Sequence, residues 1–436
     1  MKTIIGIRRE DKNQWERRVA LTPEQIHQLQ QQHAMDFICQ PFATRAFSDR
    51  EYRDAGATIA EDLSAASIIL GIKEIPEHLL LPDKTYLFFS HTVKGQTYNM
   101  PMLQRLLALK ATLIDYELIK DRNGRRLVFF GRFAGLAGMV DTLHAFGVRL
   151  QKQGLETPFA EIKMSYAYKD IADAKQHIRE VGREISANGL PASLSPVVVG
   201  FSGYGHVSKG AQEVFDLLPH QEIDPQELPG IAKGHDKILY KVVFAERDMV
   251  EPVAPGAVFE LTDYFNHPEK YRSQFERHLP HLSVLVNGIY WDQRYPRLVT
   301  KTYLKRRWSE NNPLRLQVIG DISCDIHGSI ECTEKATASD QPCFTYHPLS
   351  GAVVDGIDGE GIVLMAVDNL PAEIPRDSSE AFGQTLAPFI PALAQAELRR
   401  PFAQLALPPE IKNAIICHQG ELVPDYAYLQ QHLTQS

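Results

Sequence analysis

The chain has few cysteines for its length, five in 436 residues, and no two of them form a C-x-x-C pair. Cysteines this sparse exclude a disulfide-stapled scaffold, and they fit thiols kept reduced, with the cytoplasm as the expected compartment. Positive charge is also short. The 46 Lys and Arg against 54 Asp and Glu leave a net charge of −8, the opposite of the basic stripe that a nucleic-acid footprint requires. No apolar run approaches the roughly 20 residues needed to span a bilayer, so no membrane role is expected. The opening "MKTIIGIRREDK" holds too short an apolar stretch to read as a signal peptide. Internal repeats and low-complexity tracts are missing as well, which argues against solenoid and linker-like architectures. What remains is a composition 44% hydrophobic and 23% charged, that of a folded globular protein. The length exceeds one ordinary core and suits two domains or three.

The first third alternates strand and helix signals. "TIIGI", "FICQ", "SIILGIK", "TYLFFSH" and "TLIDYEL" read as strands, and "MPMLQRLLALK" as the helix between the last two. "LTPEQIHQLQQQH" is a helix with a marked start: Thr22 as cap, Pro23 in the first turn, and Gln25 completing a capping box. Strands alternating with helices imply an α/β fold with a mostly parallel sheet. "GRFAGLAGMVDTLHAFGVRL" reads as a long helix and "KDIADAKQHIREVGREI" as an amphipathic one; the turn-rich "ANGLPASLSP" then precedes a second α/β unit. Its further strands are "SVLVNGIY", "LRLQVIGDI" and "GIVLMAV", and "PRDSSEAFGQTLAPFIPALAQAEL" reads as another long helix.

The second unit opens on "VVVGFSGYGHVSKGAQ", which sets Gly203 and Gly205 between an apolar β-branched run and a helical pattern. Such glycines permit a tight turn and let backbone amides approach a pyrophosphate at a helix N-terminus. Ser208 stands where Gly or Ala is usual. An acid is expected about 20 residues further on, where it would meet the ribose hydroxyls. Glu222 and Asp224 both answer that description, and either would favour NAD over NADP.

In open α/β sheets ligands bind outside the carboxyl ends of the strands. Lys73 closes "SIILGIK", His91 closes "TYLFFSH", and Glu117 ends "TLIDYEL". On neighbouring parallel strands all three would emerge on one rim, where a cation, an imidazole and a carboxylate can tune one another for acid–base work. The plainer reading is three solvated rim residues, one of them among 16 histidines. Glu16, Arg17 and Arg18 follow the first strand, and Arg125 and Arg126 lie in "NGRRLVFFG". Paired guanidinium forks suit a substrate with several carboxylates, although surface arginines are the commoner case. Cys324, His327, Cys332 and Cys343 fit no strong zinc spacing, so no metal is expected.

Together these features resemble a known family. "WERRVALTP", the Lys73/His91 pair and the glycine loop are similar to the alanine dehydrogenase and saccharopine dehydrogenase superfamily. More narrowly, "GVRL…TPF", "GYGHVSKGAQEVF", "VNGIYWDQRYPRLVT", "GDISCDIHGSIECT" and "VDNLPAEIPRDSSEAFG" resemble the lysine–ketoglutarate reductase domain. That domain is the N-terminal half of bifunctional aminoadipic semialdehyde synthases; a chain of this length resembles a stand-alone reductase. The resemblance implies two Rossmann-like domains joined by long crossing helices, with the active site in a cleft. A substrate domain would comprise 1–136 with 376–436, and a dinucleotide domain 137–375. It implies reversible condensation of lysine with 2-oxoglutarate to an imine that NAD(P)H reduces to saccharopine. Lys73 and His91 match the family's acid–base groups. Glu16, Arg18, Glu117 and Arg126 match its substrate-site positions, and Gly203, Gly205, Ser208 and Asp321 its cofactor site. Resemblance favours NADP(H), with NAD(H) the alternative. An alanine-dehydrogenase-like deaminase and a non-catalytic cofactor sensor are the rival readings, and a homo-oligomer is left open.

Overall fold

The alternating runs resolve into two sheets, one in each of two units. The structure, a computed structural model, describes residues 2–231 and 234–433. Unit 1 runs to Phe130 and resumes at Pro375; unit 2 is Gly131–Ile374. In chain order the strands are β1 (Thr3–Ile7), β2 (Met35–Cys39), β3 (Thr58–Ile59), β4 (Ile68–Leu70), β5 (Thr85–Phe88) and β6 (Thr112–Asp115). Then follow β7 (Val198–Ser202), β8 (His220–Glu222), β9 (Leu239–Phe244), β10 (Val250–Pro252), β11 (Tyr271–Ser273) and β12 (Val284–Asn287). The last are β13 (Val318–Asp321), β14 (Cys343–Tyr346), β15 (Val353–Asp355), β16 (Ile362–Met365), β17 (Ile415–His418) and β18 (Glu421–Leu422).

In unit 1 the sheet order is β18-β17-β6-β5-β4-β1-β2-β3. From β6 to β3 the neighbours are parallel, while β17 and β18 add an antiparallel edge. β4, β5 and β6 are buried along their whole length, as with Ile68, Ile69 and Leu70 on β4, the pattern of parallel strands with both faces covered. Each such side chain contributes about 1.5–3 kcal/mol when fully buried. The helix Pro23–Gln32 starts as expected: Thr22 caps it and the reciprocal bond with Gln25 closes the box.

In unit 2 the order is β15-β14-β16-β13-β12-β7-β9-β8, with β10 and β11 forming a separate two-stranded arm. The strands from β16 to β8 are parallel, and β14 and β15 run antiparallel at one edge. The helix Gly131–Lys152 is buried on most sides, so its apolar residues are not confined to one stripe. It packs on the helix His206–Phe215 through two glycines. A Cβ on Gly135 would enter the carbonyl oxygen of Val207, and one on Gly210 that of Arg132.

These are the two mostly parallel α/β units expected. One element differs. The segment read as a single helix from 375 is a helix Pro375–Leu386, a 3-10 turn Ala387–Phe389 and a short helix Ile390–Gln395. Pro388 and Pro391 remove backbone donors there, and proline clashes with the preceding turn.

Candidate functional site

The acid–base candidates stand just past the strands rather than on them. β4 stops at Leu70 and β5 at Phe88, so Lys73 and His91 belong to the loops that leave the carboxyl edge. β6 stops at Asp115, and Glu117 sits in the 3-10 turn Tyr116–Leu118. His91 adopts φ +47°, a left-handed conformation uncommon outside glycine and costly unless its surroundings over-determine it. They do. Buried Asp115 accepts from the Ser90 amide at 3.0 Å and from the Ser90 hydroxyl, and the Asn99 amide group donates to the carbonyls of Ser90 and His91 at 3.0 and 3.2 Å.

The sequence reading passed over the residue that meets His91. Glu74, next to Lys73, places Oε1 2.6 Å from His91 Nδ1, and Lys12 Nζ lies 3.4 Å from its other oxygen. Burial pushes the Glu74 pKa up, but the hydrogen bond and charge of His91, with Lys12, hold it down at about 2. A carboxylate ionised at neutral pH fixes the proton on Nδ1 and leaves Nε2 to exchange protons. In sequence Glu74 is one of many acids; only its place beside Lys73 in the loop hinted at a role.

A second buried acid lies beneath the same loop. Glu10 accepts from the amides of Ile72 at 2.8 Å and Lys73 at 3.0 Å. Burial raises its pKa to about 7 against the opposing pull of Arg8 and the two amides.

Aromatic rings join the remaining candidates in unit 1. His91 stacks on Phe89, with centroids 6.3 Å apart and planes at 17°, and the Arg126 guanidinium lies 5.9 Å from the same ring. Phe89 also meets Tyr116, Phe130 and Phe382. Arg18 lies 4.2 Å over Phe130 and grips Glu16 with two bonds of 2.8 and 2.6 Å; both side chains are buried. The Arg126–Glu117 pair, at 3.0 Å, is more than a third exposed on each side. An exposed pair is worth only about 0–1 kcal/mol, so separating Arg126 from Glu117 costs little. Lys73, His91, Glu117, Arg126, Glu16 and Arg18 all belong to one unit, on loops at one edge of its sheet. Arg125 instead pairs with Asp121 on the surface.

In unit 2 the glycine loop leaves β7. Gly203 has φ +77°, which a side chain would strain, and a Cβ there would press on Ile289. Gly205 caps the helix His206–Phe215, and a Cβ on it would meet nothing within 4 Å. The turn thus offers open backbone at a helix N-terminus, which fits a pyrophosphate. Ser208 is buried, and its hydroxyl accepts from Gln212 at 3.0 Å within the helix. Asp321, at the end of β13, is also fully enclosed. It accepts from Asn287 at 2.8 Å and Thr333 at 2.5 Å, and burial lifts its pKa to about 6 despite these bonds. Ser202 donates to Asn287 at 2.7 Å, so this network ties together the carboxyl ends of β7, β12 and β13.

The strand beside β7 is β9, not β8. Glu222 pairs in register with Lys241, level with Val199, well short of the carboxyl edge, and its carboxylate lies 3.1 Å from Lys241 Nζ. Asp224 is one strand further out and closes a capping box with Glu227. The acid that follows β9 is Glu246. It accepts from the hydroxyl of Tyr204, within the glycine loop, at 3.0 Å, and the Gly203 amide donates to Phe244 at 2.9 Å. The run "KILYKVVFAERD" carried that signal, a buried strand ending on an acid.

Cys332 and Cys343 are buried apart from solvent, and among the described residues no group of three or more His, Cys, Asp or Glu is arranged to hold a metal. No helix among them is long and apolar enough to cross a membrane.

Comparison with known proteins places this geometry in context. Residues 6–137 match the alanine dehydrogenase/PNT N-terminal domain and residues 258–425 the alanine dehydrogenase/PNT C-terminal domain. The alpha-aminoadipic semialdehyde synthase of Arabidopsis thaliana is 40% identical, over 98% of this chain and 41% of that protein. Its mitochondrial counterpart from Bos taurus is 36% identical, over 99% of this chain and 48% of that protein. The chain therefore spans less than half the length of these relatives. A saccharopine dehydrogenase [NAD(+), L-lysine-forming] of Yarrowia lipolytica is 27% identical, over 88% of this chain and 90% of that one. Among solved structures, an L-alanine dehydrogenase superposes with a TM-score of 0.62 at 19% identity, covering 99% of both chains; it shares the fold.

Proposed function

We propose that this chain, which belongs to the alanine dehydrogenase/PNT family, reversibly couples lysine to 2-oxoglutarate through an imine and reduces that imine to saccharopine. The observation that carries the reading is the Glu74–His91 dyad beside Lys73, on a chain that aligns over most of its length with lysine-forming saccharopine dehydrogenase.

The chemistry follows from the groups present. Making or hydrolysing a carbinolamine needs a group that gives and takes a proton at its oxygen near neutral pH, and His91 Nε2, with Nδ1 anchored on Glu74, is built for that. Transfer at the secondary amine of saccharopine needs that amine neutral, and Lys73 takes its proton. Saccharopine carries three carboxylates; Arg126, on releasing Glu117, offers a guanidinium fork to one of them, and Arg18, oriented by Glu16, adds positive charge and its remaining N–H donors. A nicotinamide nucleotide, when bound, supplies or accepts the hydride. Gly203, Gly205 and the helix start at His206 would take its pyrophosphate, with Ser208 keeping the helix close to its neighbours. Asp321, with Asn287, would order the carboxyl edge on which the nucleotide rests.

For the ribose we assign Glu246 in preference to Glu222 or Asp224, because it follows the strand next to the glycine loop. A carboxylate there supports NAD(H). Exposed Arg247 beside it would give a 2′-phosphate a partner, which keeps NADP(H) as the second reading. Glu246→Ser is expected to raise the ratio of kcat/KM for NADPH over NADH by about tenfold or more, since one removed charge–phosphate clash is worth over about 1.4 kcal/mol. An unchanged ratio would return the assignment to Glu222 or Asp224.

The reaction itself is tested by nucleotide oxidation with 2-oxoglutarate across a panel of amino acids. Turnover is expected with lysine. Turnover with pyruvate and ammonium instead would establish the alanine-type reading, and nucleotide binding without turnover would establish a sensor.

A further inference from the structure

We infer that Glu10 is a positioning residue: it holds the loop that carries Lys73 and Glu74, and through Glu74 it sets where His91 stands. The inference rests on the acid–base roles proposed for Lys73 and His91, and it concerns the bonds Glu10 makes to the backbone of their loop.

The geometry is specific. β4 ends at Leu70, and beyond it the backbone has no ladder partner for the amides of Ile72 and Lys73. Glu10 supplies both acceptors, one oxygen to each amide, at 2.8 and 3.0 Å. Only a carboxylate presents two acceptor oxygens in this way; an amide side chain would turn an NH2 group toward one of the two N–H donors. Glu10 itself is buried at 4% exposure, so the bonds are made away from competing water. The buried Arg8 guanidinium lies 3.8 Å away, where it favours the ionised form, and Arg8 is anchored in turn on Asp11 at 2.7 Å. The chain leaving β1 therefore forms a fixed platform, Arg8–Glu10–Asp11, under the chain leaving β4. Lys73 and Glu74 follow directly from the two amides held there, and Glu74 is the group that orients His91. A shift of the loop would misplace both proton-handling groups together.

The test uses Glu10→Gln and Glu10→Asp in the full chain, with three readouts. Hydrogen exchange followed by mass spectrometry reports the amides of residues 72 and 73. Titration gives the nucleotide Kd, and steady-state kinetics separate kcat from KM. In Glu10→Gln these amides are expected to exchange at least about tenfold faster, and kcat to fall by about 10²-fold, the usual cost of misplacing reacting groups by about an ångström. The nucleotide Kd and the KM for 2-oxoglutarate should stay within about twofold. Glu10→Asp keeps two acceptor oxygens and should recover part of kcat; if Glu10→Gln fails to fold, Glu10→Asp is judged on the same readouts. Unchanged exchange overturns the inference, and so does faster exchange with wild-type kcat. If the wild-type chain shows no turnover with lysine and 2-oxoglutarate, the reaction reading falls, while exchange at residues 72 and 73 still decides whether Glu10 holds this loop.

Discussion

His91 combines a left-handed backbone with a ring clamped between Glu74 and Phe89, so its position is set twice, once by the turn and once by the side chain. Replacing Glu74 by Gln removes the carboxylate that holds His91 Nδ1 at 2.6 Å. kcat should then fall by roughly 10- to 100-fold from lost orientation while the nucleotide Kd stays unchanged. A wild-type kcat would mean that Glu74 is not the partner that sets His91. Lys73→Met and His91→Gln keep approximate shape at partly exposed sites. Each should bind nucleotide normally and lose turnover by roughly 10²–10⁴-fold, and the double variant should fall by less than the product of the singles. Near wild-type turnover in both would make them structural loop residues. The position of Lys73 and His91 at the carboxyl edge was legible in the sequence because each follows an apolar run at a predicted strand end. Glu74 and Glu10 were not, since a carboxylate's value here depends on which loop amide or ring nitrogen lies opposite, and that is decided by strand order.

At the scale of elements, the contact between the helices Gly131–Lys152 and His206–Phe215 governs how the glycine loop is presented. Alanine would ordinarily stabilise a helix by about 1 kcal/mol over glycine. At Gly135 the added methyl meets the Val207 backbone, so Gly135→Ala should instead destabilise by about 1–3 kcal/mol, seen as a lower denaturant midpoint, and should weaken nucleotide binding. Gain of stability would show that the helices can separate freely. Capping boxes and the strand–glycine–helix unit could be read directly because their signals are local. The acid proposed for the ribose, Glu246, could not. A spacing rule of about 20 residues assumes that the next strand is the neighbour, whereas here the short outer strand β8 intervenes and the acid that follows the neighbouring strand β9 comes roughly twice as far along. Likewise the helical pattern after residue 375 continued through Pro388 and Pro391, whereas the structure interrupts it with a 3-10 turn at Ala387–Phe389 and starts a new short helix at Ile390.

For the molecule as a whole, two sheets with parallel centres were legible from the alternation of strands and helices; the antiparallel edge strands were not, because edge pairing is decided by long-range contacts. Stability has a buried element that no sequence pattern announced. In unit 2, Asp141 accepts from the Ser165 amide at 2.7 Å, and the Ser165 hydroxyl donates to Glu373. Burial, and then the charge of Glu373, hold Asp141 protonated well above the usual carboxylate range. The folded chain therefore keeps a proton that the unfolded chain releases above about pH 4. This contribution to stability is full below that value and falls as pH rises through the folded pKa. Asp141→Asn cannot ionise and can still accept from Ser165, so its thermal midpoint should exceed that of the parent at pH 8 and approach it at pH 5. An equal fall in both proteins between the two pH values would show that Asp141 does not carry the effect.

The central claim is a coupling of two substrates, and isotope retention tests it most directly. With lysine labelled at its ε-nitrogen, unlabelled 2-oxoglutarate and a reduced nucleotide deuterated at C4, one product is expected by mass spectrometry: saccharopine carrying both the nitrogen label and one deuterium. Labelled ammonium in solution, or a deuterated amino acid without the lysine nitrogen, would contradict the account.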